Sequence, residues 1–307
     1  MEAKVKQIGK PLTPSLHTAL RRWRPYLWGL LFLLPEIIIF SVFQWKPIVM
    51  SIYYSMTNVD VIHGNSFVGF ENYRRVFEDD AILIAVKNTL YYVFLGLVIG
   101  FWVPSVAALA LSELRWFRGT ARLIVYLPNI VPAVVLYGMW KWLYDPIGPV
   151  NQFLGWLSIE PVRWLTDKMW AMASIVFMST WQHFGATTLI YLAAILGVPK
   201  DLYEAAEIDG ARVWHRIIYI TLPSIKMIFL LMFVMQFIST SQSYEAHLAM
   251  TDGGPNNATL TYMLHVVKNG FYKFDFGKAS AMGVLMFVVL TSLSVALYRL
   301  QRKEDHA

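Results

Sequence analysis

The sequence predicts an all-α polytopic membrane protein with six transmembrane helices, and two observations predict this class. Of its 307 residues, 57% are hydrophobic and 15% are charged, whereas a soluble domain is about 45–50% apolar and about 25% charged. In addition, all 26 Lys and Arg residues and 19 of the 20 acidic residues lie outside six long apolar windows. Disordered, collagen-like and nucleic-acid-binding chains need a polar or low-complexity composition and are excluded.

The six apolar windows are long enough to cross a membrane. A hydrocarbon core of about 30 Å takes about 20 helical residues, and the windows lack the alternation of outer-membrane barrel strands. They cover residues 26–45, 89–111, 123–140, 169–194, 227–244 and 279–298. The chain is therefore expected to comprise a basic N-terminal arm (1–25), one transmembrane domain (26–298) and a short tail (299–307).

The basic residues predict the orientation. If the N-terminus is inside, the inner segments hold 16 Lys and Arg residues and the outer segments hold 8, with Lys87 and Lys141 at the span edges left uncounted. Cytoplasmic loops carry the excess of basic residues, so both termini are expected in the cytoplasm. The first apolar run is too long for a signal-peptide core and is expected to remain as a span. The net charge of +6 is this orientation bias, and no nucleic-acid partner is expected.

Several classes of chemistry lack their sequence motifs. The chain has no cysteine, which excludes a disulfide scaffold and a thiolate metal site. The P-loop, H-E-x-x-H and G-x-S-x-G patterns are also absent. We therefore expect no enzymatic activity, no metal site and no cofactor in this chain. An ion-coupled secondary transporter is a weaker alternative, since Glu36 is the only charged residue in the six windows, and such transporters usually carry several.

The loop between the fourth and fifth spans is the most informative segment. Asp201 and Glu204 have the spacing of a capping box at the start of a short helix. Gly210 tolerates a positive φ and can end that helix, after which a second short helix is expected from about Ala211. Pro223 is placed for a further helix start. Two short helices that project on the cytoplasmic side favour a docking surface, and an amphipathic loop lying on the bilayer is the alternative.

The motif in this loop resembles a family signature. Its residues are Glu204, Ala205, Ala206, Asp209, Gly210 and Ala211, followed by Ile220, Leu222 and Pro223. This order resembles the signature of permease subunits of binding-protein-dependent ABC importers. The pattern W-x-R, at Trp214 and Arg216, is similar to the pattern of the carbohydrate branch of these permeases. Three other stretches resemble the same family. The first is 67–73, and the second is Tyr244-Glu245 followed by an outer-loop motif with Gly253, Gly254 and Pro255. The third is the G-x-A-x-A pattern of Gly277, Ala279 and Ala281 at the last span. Ile217, Asp252 and Met227 depart from the family pattern.

The resemblance implies a type I ABC importer permease fold in a bacterial inner or plasma membrane. It implies four kinds of partner: a second homologous permease, two ATPase subunits that dock on residues 199–223 and bind ATP and Mg²⁺, an extracytoplasmic solute-binding protein, and a sugar substrate. Membrane lipid surrounds the spans. The residues assigned to ATPase coupling are Glu204, Ala205, Ala206, Asp209, Gly210, Ala211, Arg216, Leu222 and Pro223.

Polar residues near the fourth and fifth spans are the candidates for a substrate pathway. They are Gln182, His183, Gln236, Ser239, Ser241, Gln242, Tyr244 and Glu245. Polar span residues usually face the bundle interior or a water-filled cavity, although helix–helix hydrogen bonding is the competing explanation. Because the spans contain no Lys or Arg, a neutral mono- or oligosaccharide is favoured over an anion such as glycerol phosphate, which remains the alternative within the family.

Overall fold

The computed structural model describes residues 16–60, 64–114 and 117–304, and it divides the chain at Tyr53 into two units. The described part of the first unit is one long helix. It comprises α1 (Leu16–Phe40), a π-helical turn (Ser41–Trp45) and α2 (Lys46–Ser55), whose end belongs to the second unit. Residues 1–15 of the predicted arm lie outside the described residues, while residues 16–25 belong to α1. The predicted first span, 26–45, falls within this helix.

The second unit is helical apart from one small hairpin. The hairpin pairs β1 (Thr57–Asn58) with β2 (Ser66–Phe67) in antiparallel fashion. Its first helices are α3 (Glu71–Phe77), α4 (Asp80–Leu95), α5 (Trp102–Glu113), α6 (Arg118–Ile130), α7 (Ala133–Leu143) and α8 (Pro149–Trp156). The later ones are α9 (Ala171–Leu196), α10 (Lys200–Ile208), α11 (Val213–Arg216), α12 (Leu222–Ser224), α13 (Lys226–Ser241), α14 (Glu245–Thr251), α15 (Tyr262–Val267) and α16 (Phe276–Glu304). Further π-helical turns occupy Gly96–Gly100, Ile217–Thr221 and Lys268–Tyr272.

Three described helices are long and apolar enough to cross a membrane, or up to six if each of three bent pairs is one span. The long helices cover Trp28–Ser55, Asp80–Glu113 and Phe276–Ala296. The bent pairs are Gly119–Ile130 with Ala133–Leu143, Ala171–Leu196 with Lys200–Ile208, and Val213–Ser224 with Lys226–Ser241. Each predicted window overlaps one of these six, and the number of spans stays a prediction.

The third predicted span, 123–140, is not one straight helix. α6 and α7 meet at an angle of 94°. The cause is Pro132, because a proline disfavours helical backbone at the residue before it. Val131 accordingly adopts extended backbone with ψ 129°, and α6 ends at Ile130. The predicted span 123–140 thus consists of parts of two helices that meet at this bend.

The two largest apolar clusters of the described residues lie between these helices. In the first, α7 and α9 contribute buried Leu136, Trp140, Met172 and Ile175. In the second, Phe101, which lies between the π-helical turn Gly96–Gly100 and α5, packs with Tyr191, Leu192 and Ile195 of α9. α6 crosses α9 at Gly185, where a Cβ atom would lie 2.2 Å from the carbonyl oxygen of Val125. Glycine is therefore needed at this crossing.

α16 begins against α3 and the hairpin. A Cβ atom on Gly277 would lie 2.6 Å from the carbonyl oxygen of Thr57 and 2.7 Å from Asn72 Nδ2. Asn72 Nδ2 donates to the carbonyl oxygens of Ser55 and Thr57 at 3.1 and 2.9 Å. Ala281 is fully buried in the same contact. The small residues of the predicted G-x-A-x-A motif thus allow the close approach of two helices.

Candidate functional site

A cavity of about 340 Å³ lies between α4, α5, α7, α9 and α13. Small-molecule sites in proteins occupy about 300–1,000 Å³, so the cavity can hold a small ligand. Its wall is formed by Tyr92, Gly96, Gly100, Pro104, Ala133, Tyr137, Val176, Ser179, Thr180, Gln182, His183, Phe184, Thr187, Gln236, Ser239, Thr240, Gln242, Ser243, Tyr244, Glu245 and Ala246.

Seven of the eight predicted pathway residues lie in this wall. They are Gln182, His183, Gln236, Ser239, Gln242, Tyr244 and Glu245. The exception is Ser241, which is buried and whose Oγ donates to the carbonyl oxygen of Phe237 at 2.7 Å. This bond joins residues four apart on α13, so it is neither a pathway contact nor the helix–helix hydrogen bond of the competing explanation.

Two glycines between α4 and α5 allow α13 to pack closely against these helices beside the cavity. A Cβ atom on Gly96 would lie 3.0 Å from Thr240 Cγ2, and one on Gly100 would lie 3.0 Å from Gln236 Nε2. Both glycines belong to the π-helical turn that joins α4 to α5. Their G-x-x-x-G spacing was the available signal for close packing, but it did not indicate that they face a cavity. Tyr92, Tyr137 and Thr187 had no sequence signal of their own.

The described cavity wall is polar and nearly uncharged. It contains no Lys or Arg, and Glu245, the first residue of α14, is its one carboxylate. His183 Nδ1 lies 2.9 Å from the carbonyl oxygen of Ser179. Because a carbonyl oxygen only accepts, Nδ1 carries a proton. Amides, hydroxyls and aromatic rings of this kind can bind sugar hydroxyls and the apolar faces of sugar rings.

One residue behind the cavity wall is a buried histidine. His247 of α14 is fully buried, and its ring contacts that of Tyr92 edge-on with centroids 4.4 Å apart. Among the described residues neither of its ring nitrogens has a hydrogen-bond partner. Burial lowers the pKa of His247 to about 3, so this histidine is neutral and packs as an aromatic ring.

The 199–223 loop lies at the other end of the same helices. Three residues separate α9 from α10, and one residue separates α12 from α13. Pro199 is the N-cap of α10 and no side chain caps it, so the capping box predicted from Asp201 was wrong. α11 begins at Val213 rather than near Ala211.

Gly210 ends α10 as predicted. Its φ is +73°, and Ala211 N donates to the carbonyl oxygen of Ala206 at 2.8 Å while Gly210 N donates to that of Glu207 at 3.1 Å. This pair of bonds is the Schellman arrangement, in which glycine adopts the left-handed backbone at no steric cost.

Most predicted coupling residues are accessible on the surface of this loop. Glu204, Ala205, Asp209, Gly210 and Pro223 are exposed, while Ala206, Ala211, Arg216 and Leu222 are partly buried. Large apolar side chains that the prediction did not include are also exposed on this loop, among them Ile208 at 88% and Trp214 at 72%. The loop therefore presents apolar anchors beside acidic groups.

The residues of the predicted outer-loop motif form a compact turn after α14. Gly253 has a φ of +83° and packs against Leu260 and Leu264. The carbonyl oxygen of Gly254 accepts a hydrogen bond from Thr259 Oγ1 at 2.8 Å. Pro255 follows directly in the same turn. Lys268 Nζ lies 2.9 Å from Asp252 Oδ1.

A charged cluster joins α4, α15 and α16 at this end of the molecule. Asp79 Oδ2 accepts from Lys278 Nζ at 2.6 Å and lies 2.9 Å from His265 Nε2. Burial by itself would raise the pKa of Asp79, but the hydrogen bonds from Lys278 and His265 outweigh it and hold that pKa well below its usual range. Burial lowers the pKa of His265, against the effect of Asp79.

The chain is similar to proteins of one transport family. A family model described as "Binding-protein-dependent transport system inner membrane component" matches residues 85–305. The diacetylchitobiose uptake system permease protein NgcF of Streptomyces coelicolor is 31% identical, over 95% of this chain and 92% of its own length. The trehalose/maltose transport system permease protein MalF of Thermococcus litoralis is 30% identical, over 93% and 97%.

A solved structure agrees with these sequence matches. A chain of the bacterial alginate ABC transporter, determined in complex with an alginate pentasaccharide-bound periplasmic protein, superposes with a TM-score of 0.82. It is 26% identical, and the match covers 94% of this chain and 97% of that one. The similarity therefore extends over the loop, the cavity and the turn after α14.

Proposed function

Because the chain belongs to the family of binding-protein-dependent transport system inner membrane components, we propose that it is the permease subunit of an ATP-driven importer of a neutral carbohydrate. The fold is that of a type I ABC importer permease, and the family membership predicted from the 199–223 loop is confirmed. The curated relatives are named for uptake of diacetylchitobiose and of trehalose and maltose, which supports a carbohydrate.

The observation that carries this proposal is that the cavity and the 199–223 loop lie at two ends of the same two helices. α9 carries Gln182 and His183 into the cavity wall, and α13 carries Gln236 into it. Force applied to the loop can therefore change the cavity wall through α9 and α13. Such coupling requires a packed element with two discrete arrangements.

We assign the cavity to the substrate pathway of this subunit. Its amide and hydroxyl groups suit sugar hydroxyls, and Tyr92, Tyr137 and Tyr244 supply aromatic faces. Glu245, with no cation in the described wall, disfavours an anion by like-charge repulsion. Glycerol phosphate, the alternative solute, would leave its phosphate without a basic partner in this wall.

We assign the loop to docking of the ATPase subunits. Ile208 and Trp214 would fill apolar depressions of the ATPase, since large exposed apolar side chains mark interaction sites. Glu204 and Asp209 would pair with basic or polar groups around them. ATP and Mg²⁺ would be bound by those subunits, and a second permease and an extracytoplasmic binding protein would complete the importer. In this arrangement six spans cross the plasma membrane and both termini are cytoplasmic.

Uptake measurements on cavity variants test the proposal. In whole cells we expect Gln182→Ala and Gln242→Ala to reduce uptake of the sugar delivered by the cognate binding protein about tenfold, as about 1.4 kcal/mol of lost contact would. Ser241→Ala is the matched control, because Ser241 is adjacent to Gln242 but does not line the cavity, and its Oγ donates to the carbonyl oxygen of Phe237 within α13. Equal uptake by all three variants at equal membrane levels would contradict the assignment.

A further measurement separates this function from an ion-coupled transporter. Uptake should stop when the partner ATPase is made unable to hydrolyse ATP. A secondary transporter would instead keep transporting, and would respond to the ion gradient.

A further inference from the structure

Two side-chain contacts join the short helices of the 199–223 loop, and one of their four residues belongs to the predicted coupling set. Tyr203 and Glu207 lie one turn apart on α10 and so share a face. Tyr203 Oη lies 3.0 Å from Thr221 Oγ1. Arg216 Nη1 donates a hydrogen bond to Glu207 Oε1. We call these two contacts the clasp, since they tie α10 to the segment that leads into α13.

Arg216 is enclosed rather than presented at the surface. Its side chain is 16% exposed, against 62% for Glu207. The guanidinium stays charged at any physiological pH, and hydrogen bonds between charged groups are the stronger class. Arg216 therefore makes its contact within the loop, whereas Glu204 and Asp209 are exposed on its surface.

The clasp supplies a constraint that Gly210 cannot supply. A Cβ atom at Gly210 would meet no atom of the described residues within 4 Å, so no side chain lies against this side of the turn to hold the angle between α10 and α11. The segment 200–224 is also bounded by two bends, of 68° before α10 and 71° before α13. Within those bends, the clasp closes α10 onto the remainder of the segment.

We infer that Glu207 and Arg216 are positioning residues, which make residues 200–224 move as one body. A displacement of α10 is then passed on to α13 and the cavity wall, instead of being absorbed at Gly210. The inference rests on the proposed function, because a docked ATPase is what would displace α10. Arg216 acts through Glu207 and contacts no partner subunit itself.

A charge exchange tests the clasp in the assembled importer. Glu207→Gln and Arg216→Gln should each lower the sugar taken up per ATP hydrolysed about fivefold, the effect of about 1 kcal/mol on a two-state equilibrium. The double variant Glu207→Arg, Arg216→Glu should restore this ratio to within twofold of the wild type. Copurification of the ATPase subunit, measured on the same samples, reports docking separately.

A second measurement needs no ATPase. Arg212 is exposed between the two helices, and trypsin cuts there when the segment opens locally. In the purified permease we expect Glu207→Gln to raise the rate of cleavage after Arg212, identified by fragment mass, about fivefold, and the charge exchange to reverse it.

The outcomes distinguish a failure of the clasp from a failure of the docking assignment. Single variants with wild-type uptake per ATP and wild-type cleavage would overturn the clasp. So would a charge exchange that behaves like the single variants, since it would mean that each residue contacts something outside the loop. Failure of the ATPase to copurify with the wild-type chain would overturn the docking assignment, and the cleavage result would then still decide whether the clasp exists.

Discussion

Lys278 Nζ lies 2.6 Å from Asp79 Oδ2, and this contact joins the first turn of α16 to the residue that caps α4. Asp79 Oδ1 accepts the cap hydrogen bond from Ala81 N at 2.9 Å, so the two oxygens of one carboxylate serve two helices. The side chains of Asp79 and Lys278 are 16% and 12% exposed, which removes most solvent screening from the pair.

We predict that Asp79→Asn destabilises the protein by about 1.5–3 kcal/mol, the range for a hydrogen bond to a charged group. Asparagine still caps a helix well, so the loss reports the contacts that the Asp79 carboxylate makes with Lys278 and His265. Unfolding of the purified protein in denaturant measures it. The double variant Asp79→Asn, Lys278→Gln should recover part of the loss, because the lysine charge is no longer left without its partner. Wild-type stability of the single variant would contradict the prediction.

His247 predicts a pH dependence of stability. The unfolded chain takes up a proton near pH 6.5, while the folded protein does so only near pH 3. Stability is therefore highest above pH 6.5 and falls as the pH is lowered towards 3, by up to about 1.4 kcal/mol per pH unit. His265 contributes with the same sign, since burial lowers its pKa as well.

Replacement of His247 tests this slope. His247→Phe and His247→Leu should both reduce the pH dependence of the unfolding free energy by the contribution of one titrating histidine. This holds whatever effect each variant has on absolute stability through packing. Thermal unfolding between pH 4 and pH 7 measures the slope, and an unchanged slope in both variants would refute the assignment.

Gly277 and Gly283 provide a matched pair on α16. Alanine at Gly277 would place a methyl group 2.6 Å from the carbonyl oxygen of Thr57, so we expect a loss of about 1–3 kcal/mol from overpacking. Alanine at Gly283 meets no atom of the described residues within 4 Å and should gain about 0.5–1 kcal/mol from helix propensity. Melting temperatures of the two variants relative to the wild type give the order, and the reverse order would contradict the packing at Gly277.

The helices and the polar cavity wall were predictable because each follows from a local property. A long apolar run crosses a membrane whatever it packs against, and polar residues such as Gln182 within it face inward. Gly210 was predictable for the same reason, since the left-handed backbone favours glycine. The bend at Pro132 was within reach of the same reasoning, because its effect on Val131 is local too.

The clasp and the charged cluster were not predictable from local properties. Glu207 and Arg216 are nine residues apart and meet only because of the angle between α10 and α11. Asp79 and Lys278 are 199 residues apart in the chain. Ile208 and Trp214 looked like ordinary apolar residues, and their prominence depends on which faces of α10 and α11 are covered.

The π-helical turn Ile217–Thr221 determines which residues of the segment face α10. In an α-helix, residues five apart point in directions about 140° apart, so Arg216 and Thr221 could not both reach one neighbour. The π-helical turn bonds each residue to the fifth one on, as Leu222 N does to the carbonyl oxygen of Ile217. Arg216 and Thr221 therefore lie on one side and match Tyr203 and Glu207, four apart on an ordinary helix. The extra residue in that turn therefore sets the register between α10 and the segment that leads into α13. Deleting one residue between 217 and 220 would move Arg216 and Thr221 onto different sides, while every motif residue would still be present.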